Sequence, residues 1–485
     1  MYRHSIALVC LWLGLTTELH GQNPDSLLNE PPFNSAHWGV LMVSPDGEAV
    51  YQLNPDHLFV PASTAKLIVA AVASSLLPRN FSATTSVYTT GPVRDGVIEG
   101  DLVIYGRGDP TFGARCYGRD TTAAGACETM WSRMNALADS IVAQGIRRIA
   151  GSLIGDGSFF EATLVHPAWE SYDLNWWYAA PVSALGFNDN TINVTWGPGA
   201  SLDAPASVRF EPDIGAFSFE NRTFTTDTAG QTNVDFFRIP GTTTIWAEGT
   251  VTSDRSPRTE YFAYPDPNRY FVLALRHALS QRGIAVSGPT RSTTDSLSYR
   301  DARRGPPLAE LPSRPLEDLI FPVLNSSQNW FAELLLKNVA RAVTEVGSWR
   351  AGIELEESFL TDSVGADSVS FSLTDASGLS TANLISPRTL VRLLAFIRSH
   401  PANDGFMRAL PRSGGVGSLR GRFVGTELEA QVVAKTGSIN HVNSLAGYVE
   451  RPDGIYTFAI LVNNRLGGSS AAVGRIDSLL VTLFR

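Results

Sequence analysis

Three short segments bring together residue types able to run acyl transfer through a serine: Ser63-Thr64-Ala65-Lys66, Ser327-Gln328-Asn329 and Lys435-Thr436-Gly437-Ser438. A serine hydroxyl is a weak nucleophile until a neighbouring base takes its proton. A lysine three positions on along a helix shares the serine's face, so Lys66 can reach Ser63. Its amine, with an ordinary pKa of about 10.4, must be brought to roughly 7 or 8 to serve as base, by burial or by a second cation. Lys435 is the candidate for that cation. A serine that opens a helix also offers its own amide and the positive helix end to an oxyanion. Taken singly, Ser-x-x-Lys is far more often a helix N-cap followed by a surface lysine. The three segments in this order outweigh that reading.

Lysine usage points the same way. Of 38 basic residues only those at 66, 337 and 435 are lysine, and the rest are arginine, which cannot give up its proton. Two of the three thus stand where a deprotonatable amine is needed. Lys337, inside a helical stretch, has no role legible from its neighbours. The eight histidines show neither His-Glu-x-x-His nor a ligand spacing with cysteine or carboxylates, so no metal and no cofactor are expected. A net charge of -9 without basic clusters argues against nucleic acid as a partner.

The elements that must carry these residues follow from pattern. His37 to Ser44 and Ala49 to Leu53 alternate as strands around Pro45-Asp46-Gly47, and a helix is expected over Thr64–Leu77, so a hairpin delivers a helix start at Ser63. Asn443 to Glu450 and Gly454 to Val462 form a second hairpin, followed by a helix over Ser469–Phe484. Further helices are expected over Val323–Val343, Trp349–Leu360 and Pro387–Ser399. Residues 85–295 differ in texture, with short strands, Gly and Thr turns, aromatic clusters and one clear helix over Cys127–Gln144. At 485 residues the chain exceeds what one core usually organises. The expected division is a domain split into 22–84 and 296–485 around an insert at 85–295.

Arg3 and the apolar run Ile6 to Leu15, too short to span a bilayer, predict a signal peptide over 1–21 and export. No integral membrane span is expected in the mature chain. Cys116 and Cys127 remain as an even pair in an oxidising compartment, which suits a disulfide worth about 3 kcal/mol.

With these residues in place, the chain resembles the D-alanyl-D-alanine carboxypeptidase/endopeptidase family, the class C, type-4 low-molecular-mass penicillin-binding proteins of serine peptidase family S13. The likeness spans nearly the whole mature chain. It includes Phe59-Val-Pro-Ala-Ser63, Gly106-Arg-Gly-Asp-Pro110, Tyr178-Ala-Ala-Pro-Val-Ser-Ala184, Asp375-Ala-Ser-Gly-Leu-Ser380 and Gly417-Ser-Leu-Arg420 beside the three motifs. The resemblance implies an α+β fold: a β-lactamase/transpeptidase-like domain, antiparallel sheet flanked by helices, interrupted by a large, mainly β insert of two nested domains. It implies an acyl-enzyme on Ser63, peptidoglycan stem peptides as substrate, β-lactams as inhibitors, and a periplasmic or cell-envelope location. Ser327 would relay protons and Asn329 bind the substrate amide. Lys435, Thr436 and Gly437 would hold the terminal carboxylate, the Ser438 amide would complete the oxyanion hole, and Asp173 would face the substrate's amino group.

Two departures bear on substrate. Gln328 stands where aspartate is commonest, and Thr381 follows Ser380 where relatives often carry an arginine. Other readings are a β-lactamase, disfavoured by the long insert, and a non-catalytic wall-binding protein using Trp169, Trp176 and Trp177.

Overall fold

The computed structural model describes residues 23–117 and 127–484. The expected signal peptide at 1–21 lies outside the described residues. Both terminal hairpins form, and they join in one antiparallel sheet. Its spatial order is Ala49–Leu53, His37–Val43, Gly454–Asn463, Val442–Arg451 and Val432–Ile439, so the strand carrying Lys435 is an edge. Alternation along the strands feeds two cores. Val40, Met42, Phe458, Ile460 and Val462 face the helix Ser469–Thr482 on one side. Leu41, Ala459 and Leu461 face a larger helical layer on the other.

That layer is built on the helix Lys66–Leu76, where every residue from Lys66 to Ala73 is buried. The helix Asn329–Thr344 packs against it, and Trp349–Asp362 and Pro387–Ser399 complete the layer. Two differences from the sequence pattern matter. Ser63 sits in a tight 3-10 turn, Ala62–Ala65, ahead of the α-helix rather than inside it. The stretch Val323–Val343, expected as one helix, is two, Leu316–Leu324 and Asn329–Thr344. Ser327 adopts φ 62°, which an α-helix cannot contain, and the Gln328 amide turns back to the Pro322 carbonyl at 3.0 Å. The break falls on the polar run Asn325 to Asn329, between the apolar segments that suggested a single helix.

From Thr84 the chain enters a second sheet. Thr84–Thr89 pairs with Ala309–Pro312, beyond position 295, in a sheet that also holds Leu102–Tyr105, Leu153–Asp156 and Thr290–Thr293. The last three are parallel neighbours and need crossovers. Two helices pack in that unit's core, Ser132–Ala143 and Pro267–Ser280. The first is shorter than the expected Cys127–Gln144. The second was not foreseen, although Asp266 caps it at the Arg269 amide and Pro267 opens it. Inside this unit, 191–263 form a second one, two three-stranded sheets around Val194, Trp196, Phe236 and Phe262. Cys116 and Cys127 are bridged. No helix among the described residues is long and apolar enough to cross a membrane.

Candidate active site

The Ser63 turn is held from both sides by glycines that admit no side chain. Ala62 lies at φ 49°, a conformation costing an L-residue about 1–3 kcal/mol and common where function over-determines the backbone. A Cβ on Gly378 would stand 1.9 Å from the Ala62 carbonyl oxygen. A Cβ on Gly437 would stand 2.2 Å from Ser444 Oγ and 3.0 Å from the Ser63 amide nitrogen. The edge strand therefore lies directly against the turn, which brings the Lys-Thr-Gly segment to Ser63.

Lys66, fully buried, donates to Ser63 Oγ at 2.8 Å, Asn329 Oδ1 at 2.7 Å and the Ser377 carbonyl at 2.5 Å. Burial lowers its pKa to about 7, against the opposing pull of the Asp375 and Glu333 carboxylates. Of the two levers expected, burial and the second cation Lys435, burial is the larger. Of the three partners, Asn329 Oδ1 and the Ser377 carbonyl can only accept; Ser63 alone has a proton to give. When Lys66 loses a proton, its lone pair is consequently directed at the Ser63 hydroxyl. Lys435 is also fully buried and donates to Ser327 Oγ and the Thr436 carbonyl, each at 2.7 Å. Burial, then the neighbouring Lys66 ammonium, hold it well below the ordinary lysine range.

The expected residues converge on one cleft of about 490 Å³. Ser63, Ser327, Asn329, Thr436, Ser438 and Asp173 line it, while Lys66, Lys435 and Gly437 lie beneath its floor. Asn329 differs from expectation in one respect. Its amide is engaged at both ends in the free site, accepting from Lys66 and donating from Nδ2 to the Tyr178 carbonyl at 2.7 Å. Thr436 Oγ1 donates to Ser418 Oγ at 2.9 Å. Asp173 accepts from the Tyr178 hydroxyl at 3.1 Å, and burial raises its carboxyl. Glu170, Tyr172, Trp177 and Thr381 share that end of the cleft. Of the tryptophans considered as a stacking surface, Trp176 packs on Phe262 and Trp169 is interior; only Trp177 reaches the cleft.

The Asp375–Ser380 segment is a shaping element. Its buried carboxylate accepts from the amides of Gly378 at 2.7 Å and Ser380 at 2.8 Å, from Asn383 Nδ2 at 2.9 Å and from Trp169 Nε1 at 2.8 Å. That last bond comes from the insert. The loop so fixed presents the Ser377 carbonyl to Lys66. Sequence reasoning missed this carbonyl, and with it Glu333, whose carboxylate accepts from the Ser377 amide at 2.8 Å. A signal existed. Asn329, Glu333 and Lys337 recur every fourth residue of the helix, with only apolar residues between them, and therefore share one face.

The model of the D-Ala-D-Ala carboxypeptidase 3 (S13) family matches residues 21–482. The chain belongs to this family of serine-type D-Ala-D-Ala carboxypeptidases. A relative, the D-alanyl-D-alanine carboxypeptidase of Actinomadura sp. (strain R39), is 30% identical over 480 residues, covering 96% of this chain and 84% of its own. The D-alanyl-D-alanine carboxypeptidase DacB of Haemophilus influenzae is 25% identical over 84% of this chain and 81% of its own. The solved structure of penicillin binding protein 4 (dacB) from H. influenzae superposes with a TM-score of 0.81 at 22% identity, covering 95% of this chain and 98% of that one. This chain thus has the fold of that protein, of which another structure is described as complexed with a β-lactam.

Proposed function

We propose that this S13 enzyme cleaves the D-Ala-D-Ala peptide bond of peptidoglycan stem peptides through an acyl-enzyme on Ser63, as carboxypeptidase and, on cross-links, as endopeptidase. The observation that carries the assignment of roles is the set of three hydrogen-bond partners around Lys66. With two acceptor-only partners at 2.7 and 2.5 Å, a neutral Lys66 can accept only from Ser63 Oγ. In acylation Lys66 takes the Ser63 proton as the oxygen attacks the carbonyl carbon. The oxyanion forms between the amides of Ser63 and Ser438, each such donor typically worth about 2.7–4 kcal/mol in the transition state. Ser327, bonded to Lys435, passes its proton to the leaving amine as the carbon–nitrogen bond breaks, and the proton that Lys66 took from Ser63 replaces it, which leaves Lys66 neutral again for deacylation. Water then attacks the ester, gives a proton to Lys66, and Ser63 is restored as its oxygen leaves and recovers that proton.

The terminal carboxylate of the stem peptide fits Lys435 and Thr436, whose ammonium has two donors engaged within the protein and one left. Its arrival also offsets the repulsion between the two lysines and keeps Lys435 charged while Lys66 is neutral. At the far end, Glu170, Asp173 and Thr381 suit an amino group and disfavour an anionic arm, which points to amidated or carboxylate-free diamino acids. β-Lactams would acylate Ser63 in place of the stem peptide. Export through residues 1–21 would deliver the enzyme to the periplasm or cell-envelope exterior. The catalytic unit would be 22–84 with the segment after the insert's last paired strand.

The test incubates the protein and Ser63→Ala with cross-linked and uncross-linked muropeptides, in free-acid and amidated forms, and follows products by mass spectrometry. D-Alanine release by the wild type alone is the expected result. Equal activity of the two proteins overturns the mechanism, and a strong preference for the free acid overturns the reading of the cleft end.

A further inference from the structure

We propose that Glu333 is a positioning residue for acylation: its buried carboxylate holds the Ser377 peptide whose carbonyl holds Lys66, and its negative charge acts on the Lys66 ammonium. The proposal rests on the assignment of Lys66 as base. Glu333 is fully buried one helical turn beyond Asn329. One carboxylate oxygen accepts from the Ser377 amide at 2.8 Å; the other accepts from Trp349 Nε1 at 2.8 Å and from the Ala376 amide at 3.4 Å. The carbonyl of that same Ser377 accepts from Lys66 at 2.5 Å. A single residue therefore separates the Glu333 charge from the base. Asp375 shapes the loop around it, but Ser377 itself is bonded by Glu333.

The groups around Glu333 can be named from every side. Lys337 lies one turn further on its own helix, Asp375 on the loop, Glu356 on the helix Trp349–Asp362 and Lys66 on the nucleophile helix. Glu161 and His166 of the insert stand beside Lys337. Glu356 is buried and pushed well above its ordinary range by burial and by its carboxylate neighbours. Glu333, by contrast, faces three N–H donors, which favour its charged form. Burial and then Asp375 raise it only to about 7. Its charge and that of Asp375 are the two that favour the Lys66 ammonium.

The experiment measures acylation of the mature protein by a chromogenic cephalosporin against pH for wild type, Glu333→Gln and Glu333→Asp. Glu333→Gln is expected to lose roughly tenfold to a hundredfold in rate, because an amide accepts on one side only and sets its NH2 against either the Ser377 amide or the Trp349 Nε1 and Ala376 donors, which loosens the Ser377 loop. Its acid limb is expected at lower pH, by up to about one unit, because a charge favouring the ammonium is gone. Glu333→Asp keeps the charge with a shorter reach, so it should lose rate with the acid limb unmoved. Should Glu333→Gln fail to fold, Trp349→Phe takes its place. It removes one donor to Glu333, makes that carboxyl easier to protonate, and should move the acid limb the same way by less. A folded Glu333→Gln, or Trp349→Phe in its stead, whose acid limb coincides with that of the wild type overturns the proposal whatever its rate. A wild type with no acid limb removes the Lys66 assignment and the proposal together, so the two failures are distinguishable.

Discussion

Lys66 and Lys337 are both fully buried on helices of one domain, and the protein treats them differently. Lys66 meets two neutral oxygens and a hydroxyl; Lys337 meets the Glu161 carboxylate at 3.1 Å and lies over the Trp349 ring, 3.3 Å from its centroid. Burial lowers both, Lys66 to about 7 and Lys337 to about 8, where Glu161 opposes the shift. Partner choice thus separates a base from a brace. Neutral acceptors let a buried ammonium discharge near neutrality, while a carboxylate and an aromatic face hold the charge and tie the insert to the helix that carries Asn329.

The largest expected effect breaks the first half of this contrast. Lys66→Arg should abolish acylation, by at least about 10⁴-fold, in a protein that still unfolds cooperatively. Normal labelling of that variant by a fluorescent penicillin would remove Lys66 as base. In the wild type, acylation should fall about tenfold per pH unit once pH drops below about 7, because the ammonium form of Lys66 cannot accept the Ser63 proton. A rate independent of pH from 5 to 8 would contradict the shift.

Asp375→Asn comes next. Four donors face that carboxylate, and an amide group in its place turns N–H against N–H, so a loss of about 3 kcal/mol in denaturant stability and a slower acylation are expected. Unchanged stability would mean that the loop is held by other contacts.

Lys337→Met tests the second half and should have the smallest effect on chemistry. Most of the acylation rate should remain, with stability lower by about 1–3 kcal/mol as Glu161 loses its partner. The sign with pH is specific. Lys337 has a folded pKa of about 8 and an ordinary value of 10.5, so between these the unfolded chain binds more protons and wild-type stability gains with rising pH. The advantage of wild type over Lys337→Met should therefore widen from pH 8 to pH 10, as denaturant midpoints would report. Loss of acylation in Lys337→Met would erase the distinction between the two lysines.

The local parts of this protein were legible from residue order. The two hairpins, the helix behind Ser63 and the helix Pro387–Ser399 follow from alternation, turn residues and periodicity, which act over a few residues. The contact between Lys66 and Ser63 belongs to the same class, because three positions on a turn bring side chains together wherever the segment sits. Where the pattern misled, a tertiary demand had overridden it: the left-handed Ser327 interrupts the expected helix within the polar run Asn325 to Asn329 and faces its hydroxyl toward Lys435. The pairing of Lys435 with Ser327, of Lys66 with Asn329 and the Ser377 carbonyl, and of Trp169 with Asp375 joins residues remote in the chain. Only packing decides such contacts, and only packing removes the water whose absence turns Lys66 from a surface cation into a base, since desolvation belongs to the assembled interior and not to any segment of it.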